Sequence, residues 1–201
     1  FFGMIVGSFY VIYYQLERIT AKSLIGIVIG IVSGLLISLA ENYNIGTTDL
    51  IIFFSGVIAI SGMILPGLSG SYLLLLMGNY TLIMVDSVNA LYYTLIELAS
   101  LDFTFINDAE RLYLLKVLML FTLGSIFGLI FLSNVLSLLL KKFKTITISI
   151  IVGFIAGSLI GVWPWKEVDM IGKVSLFFPD FSILQTWITI FNILIGILFV
   201  V

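Results

Sequence analysis

Long apolar runs alternate with short polar stretches along this chain, and within each run the apolar character is continuous. Continuous apolarity predicts helices; the strands of a membrane barrel would read as short segments polar at every second position. A helix needs about 20 apolar residues to cross the hydrocarbon of a bilayer. On that measure Ser23–Ala40, Leu112–Leu140, Ile146–Val162 and Ile183–Val201 predict spans. Phe1–Tyr14 is shorter and opens without an initiator Met or a charged leader, so it is expected to be the remainder of a span begun upstream. Gln15–Lys22 and Lys141–Lys144 are expected as short turns, and residues 41–49, 102–111 and 164–182 as longer loops.

Residues 50–98 break this rhythm. Leu50–Leu65 is apolar and stops at Pro66-Gly67-Leu68-Ser69-Gly70-Ser71; Tyr72–Val85 and Ser87–Leu98 follow, separated by Asp86. The region predicts either a re-entrant hairpin or one broken helix, and the pattern alone leaves both open. Elsewhere glycines recur at four-residue spacing, at Gly26/Gly30/Gly34, Gly124/Gly128 and Gly153/Gly157/Gly161. That spacing smooths one helix face and predicts close helix packing. The fold class is therefore an all-α integral membrane protein, a polytopic bundle forming a single transmembrane domain over 1–201.

Composition agrees. Of 201 residues 61% are hydrophobic and 10% charged, too little polar surface to cover a water-soluble globule. A net charge of −2 without a basic tract argues against nucleic acid as a partner. The chain has neither cysteine nor histidine, which removes thiolate chemistry, the commonest catalytic base and the commonest metal ligand. No metal and no cofactor are expected. Arg18 and Lys22 lie in one short turn and Lys141, Lys142 and Lys144 in the other, so the positive-inside rule places both turns in the cytoplasm and the three longer loops outside. Residues 50–101 then cross an even number of times.

The interruption at 66–71 carries the chemistry. Pro66 removes a backbone donor, while Gly67 and Gly70 permit conformations closed to other residues. Irregular backbone at membrane depth is tolerated only where it is buried in protein or lines a wet cavity. The N–H groups of Gly67 to Ser71, the hydroxyls of Ser69 and Ser71, and the start of a half-helix are what an anion would need. A proline kink whose serines bond their own helix is the plainer alternative. Gly67-Leu68-Ser69-Gly70 also matches the pattern around the nucleophile of rhomboid proteases, but those enzymes activate the serine with a histidine, and this chain has none. Asp86 and Glu97 fall in apolar surroundings and are candidates for ion or proton coupling. Lys116 is expected to snorkel, and Trp163 and Trp165 to form an interfacial belt.

The stretch from Ala59 to Tyr80, AISGMILPGLSGSYLLLLMGNY, resembles the signature of the polyprenyl-phosphate (undecaprenyl-phosphate) transporter family, formerly domain of unknown function 368. Gly124-Ser-Ile-Phe-Gly-Leu and Gly157-Ser-Leu-Ile-Gly-Val-Trp-Pro-Trp-Lys166 resemble its later segments in the same order. The resemblance implies a translocase in the cytoplasmic membrane of a prokaryote, returning a polyprenyl phosphate carrier for envelope synthesis. It also implies an inverted-repeat architecture whose earlier Pro-Gly-x-Ser-Gly element is not in this sequence, leaving one and a half units. The head-group site is expected at Pro66, Gly67, Ser69, Gly70 and Ser71. A carrier of a small anion or ion-coupled solute, and an intramembrane serine hydrolase, are the competing readings.

Overall fold

A computed structural model describes residues 2–16, 20–41, 43–64, 67–168 and 174–201. Arg18, Pro66, Asp169 and Lys173 lie outside the described residues. The chain is an all-α membrane protein. Ala21–Ser38, Thr81–Ala99 and Ala109–Ser158 are long and apolar enough to cross a bilayer. Helix is the form these segments must take, because hydrocarbon offers no partner to an unsatisfied peptide group.

The helices are α1 (Phe2–Tyr13), α2 (Ala21–Ser38), α3 (Asp49–Ile64), α4 (Gly70–Leu76), a π-helical turn at Thr81–Ser87 leading into α5 (Val88–Ala99), α6 (Ala109–Ser158) and α7 (Leu184–Leu198). They divide into two compact units.

One unit comprises Phe1–Leu39 and Leu139–Val201. Here α2 starts on a reciprocal cap: Ser23 N–H donates to Thr20 Oγ1 at 3.3 Å and Thr20 N–H to Ser23 Oγ at 2.6 Å. The glycine stripe then meets its counterpart. Gly30 lies against the Ile150 carbonyl, and Gly153 and Gly157 lie against the carbonyls of Ile27 and Ile31. No side chain fits between these backbones. In the same unit α1 packs on α7, where a Cβ on Gly7 would lie 3.2 Å from the Ile197 carbonyl oxygen. The stretch expected as a loop near Trp163 holds a small antiparallel hairpin, β1 (Lys166–Val168) on β2 (Val174–Leu176), with Lys166 opposite Leu176. Trp163 anchors it by donating Nε1–H to the Phe177 carbonyl at 3.0 Å.

The other unit is Ala40–Leu138. In it α3 runs beside α6 in the same direction: Asp49 meets Lys116, Phe53 backs onto Gly124, and a Cβ on Gly128 would lie 2.8 Å from Val57 Cα. After the break, α4 doubles back along α3. Gly70 rests on the Ala59 carbonyl, and Asn79, beyond the end of α4, reaches back to Ser55. The core between these helices is Ile52, Ala59, Leu74, Ile83 and Val117.

Two sequence expectations change in detail. Tyr72–Val85 is not one run: α4 ends at Leu76, Gly78 turns the chain at φ +73°, and a π-helical turn follows. Asp86 does not interrupt anything, because Thr81–Ala99 is continuous. The short turn expected at Lys141–Lys144 is present: Phe143, at φ −134° and ψ 40°, leaves the helical region and kinks α6 into two helices, one on each side of it.

Candidate functional site

The break between α3 and α4 is built by Gly67 to Ser71. Gly67 has φ +95°, the left-handed region that glycine enters without strain. Ser69 is extended (φ −115°, ψ 130°) and sits at the N-cap of α4, yet its side chain makes no cap. It turns to Ser71 instead, with the two Oγ atoms 2.7 Å apart. The first-turn amides of α4 therefore receive no side-chain cap from Ser69. Ser71 is exposed and Ser69 half-buried. Two hydroxyls that share one internal hydrogen bond leave one proton to donate outward, beside backbone N–H groups. This is a neutral, donor-bearing surface.

Gly70 has a different position. It is buried with its Cβ direction on the Ala59 carbonyl, so its smallness serves the contact between α3 and α4. With seven residues, α4 also contributes only a small helix dipole. Polarity at the break thus comes from hydroxyls and amides.

The two candidate acids are elsewhere. Glu97, near the end of α5, pairs with Arg111 at 2.5 Å, and Arg111 reaches Asp108 at 3.5 Å. Asp86 is exposed on the π-helical turn and has no ion pair among the described residues. Lys116 donates to Asp49 at 2.6 Å. It is therefore at the start of α3, about 15 Å along the axis from Ala59, on whose carbonyl Gly70 rests.

Sequence reasoning missed a second polar cluster in this unit. Asn79 is fully buried and donates Nδ2–H to Ser55 Oγ at 3.3 Å, while its Oδ1 has no partner. An unpaired buried acceptor costs about 1–3 kcal/mol. Asn79 falls inside the run expected at Tyr72–Val85, and nothing near it in sequence announces that Ser55 will cover it. Between α5 and α6 there is also an open groove of about 280 Å³ lined by Leu91, Leu115, Leu118, Met119, Thr122 and Leu123.

Residues 1–175 match a family described as VCA0040-like, undecaprenyl phosphate translocase-like. The chain belongs to that family. Two curated relatives of this translocase-like chain bear the same name. A polyprenyl-phosphate transporter of Vibrio cholerae is 30% identical over 167 residues, 83% of this chain and 47% of the relative. A polyprenyl-phosphate transporter of Staphylococcus aureus is 30% identical over 127 residues, 62% of this chain and 39% of the relative. The translocase-like chain thus spans about half the length, or less, of the curated relatives it matches. No solved structure matches it.

Proposed function

We infer that this protein takes part in moving a polyprenyl phosphate, of the undecaprenyl type, across the cytoplasmic membrane of a prokaryote, and that it is a transporter and not an enzyme. The observation that carries the reading is the family match over residues 1–175, together with relatives named for that cargo. The physical chemistry of the break supports it. A phosphate monoester on a long apolar tail needs donors for the head that do not bury a full positive charge in the bilayer. Gly67, Ser69 and Ser71 supply hydroxyls and open backbone, next to Pro66, while Gly70 holds α4 against α3. The tail would remain in the lipid or lie along the apolar α5–α6 groove.

Of the two acids, Asp86 is the one available for coupling, since Glu97 is engaged by Arg111. Residues 49–99 would enter and leave on one side of the membrane, because α3 and α6 run in parallel and α5 returns to the start of α6 through Glu97 and Arg111.

A hydrolase reading fares worse. Ser69 Oγ faces another serine, the sequence has no histidine, and Lys116 is committed to Asp49 at the far end of α3. The deciding experiment is leaflet-resolved transport of a labelled polyprenyl phosphate by the full-length protein in vesicles. Facilitated movement that depends on Ser69 and Ser71 is expected. Equal movement in protein-free vesicles, or hydrolysis of the lipid, would overturn the assignment.

A further inference from the structure

Asn79 stands apart from everything the proposed lipid site uses. It follows Gly78, where the chain turns out of α4, and precedes the π-helical turn at Thr81–Ser87. Ser55, equally buried, accepts from Asn79 Nδ2 and donates its own proton to the Ile51 carbonyl at 2.8 Å. That chain of bonds sets the amide's orientation. Ser55 has spent its only proton on Ile51, so it meets Asn79 as an acceptor and must face the NH2 end. Oδ1 is then the end without a partner. Rotating the amide would merely exchange an orphaned acceptor for an orphaned donor.

A fully buried acceptor without a partner calls for a donor or a cation, since native interiors seldom leave such an atom unmatched. The phosphate cargo is the wrong partner, being an acceptor itself. A divalent ion is also wrong: it demands several carboxylates, and the described residues contain no cluster of three or more acidic, histidine or cysteine ligands.

The backbone favours a single positive charge. At the end of α4 the carbonyls of Leu74 and Leu76 accept from the N–H groups of Asn79 and Tyr43, and each keeps a second lone pair. Unwound carbonyls at the ends of broken helices are a general way for membrane transporters to hold sodium. A π-helical turn beside them is a frequent companion of functional sites.

We propose that Asn79 Oδ1, anchored by Ser55 and backed by the carbonyl end of α4, is a ligand in a site for one monovalent cation of sodium's size. The site lies at the second break of the chain and does not depend on what the first break carries.

The test needs no lipid substrate, so its failure is distinct from failure of the transport reading. Melting of the full-length protein in detergent is followed at constant ionic strength as choline chloride is replaced by sodium chloride. A saturable rise in Tm with sodium is expected in the wild type, together with heat on calorimetric titration. Asn79→Leu should abolish the dependence. Asn79→Asp adds a negative charge at the ligand and should lower the half-saturating sodium concentration about tenfold or more. Should Asn79→Leu fail to accumulate, Ser55→Ala serves in its place, and weaker sodium binding is expected from the loosened amide. Identical melting in sodium and choline, with no heat of binding, would mean that a buried water satisfies Oδ1 and would overturn the proposal. So would a sodium effect that survives Asn79→Leu or is untouched by Ser55→Ala.

Discussion

At the break, Ser69 and Ser71 act as one object because their oxygens are 2.7 Å apart. Removing either hydroxyl removes the shared bond and alters what the other can offer. A hydrogen bond to a charged group is worth about 1.5–3 kcal/mol, so Ser69→Ala and Ser71→Ala should each weaken transport by roughly ten- to a hundred-fold. The double variant should cost little more than either single one, since coupled partners are not additive. Transport normalised to protein in the membrane is the measurement, and full additivity would mean that the two serines act separately. Neither serine should be modified by a fluorophosphonate, as the sequence has no histidine and the two hydroxyls bond each other. Gly70 is a poor probe of the head group: even Gly70→Ala would push a Cβ into the Ala59 carbonyl, and reduced accumulation is expected. Gly67→Ala is the sharper test of backbone shape, because a left-handed non-glycine residue costs about 1–2 kcal/mol.

Among elements, the glycine contacts determine which helices can approach. Gly124 on Phe53 and Gly153 on Ile27 place backbone against backbone. Overpacking such a seam costs about 1–3 kcal/mol, so Gly124→Ala and Gly153→Ala should each lower the melting temperature in detergent. Ile126→Ala, on the exposed side of α6, should do so much less. These seams were legible in the sequence because the spacing of small residues is itself the cause of the packing. The bounds of α2, α3 and α7 were legible for a similar reason, since continuous apolarity and helix coincide in lipid. The π-helical turn was not. A leucine-rich run has the same hydropathy whether it winds as α or π, and the extra residue is placed by Ser87 Oγ bonding the Leu82 carbonyl at 2.7 Å. Asn79 was missed because its burial is made by α3, 24 positions earlier at Ser55. The turn at Lys141–Lys144 was legible from its charge, and Phe143 is the residue that makes it.

For the whole molecule, orientation is the open arrangement most directly checked, and the absence of native cysteine makes single-cysteine labelling clean. With an impermeant reagent on intact cells, Asn44→Cys and Asn107→Cys should both react and Lys142→Cys should be protected. Different sides for positions 44 and 107 would contradict the parallel course of α3 and α6. The length of α3 carries a further consequence for the barrier that a lipid head must pass. From the Asp49–Lys116 pair α3 descends about 24 Å along its axis, but the chain then doubles back, and Gly70, between the two serines, rests on the carbonyl of Ala59, about 15 Å from that pair. Against about 30 Å of hydrocarbon in all, a head group held at Ser69 and Ser71 would stand near the middle of the barrier. The thickness still to cross would be similar on both sides, so opening either face would call for a rearrangement of similar size.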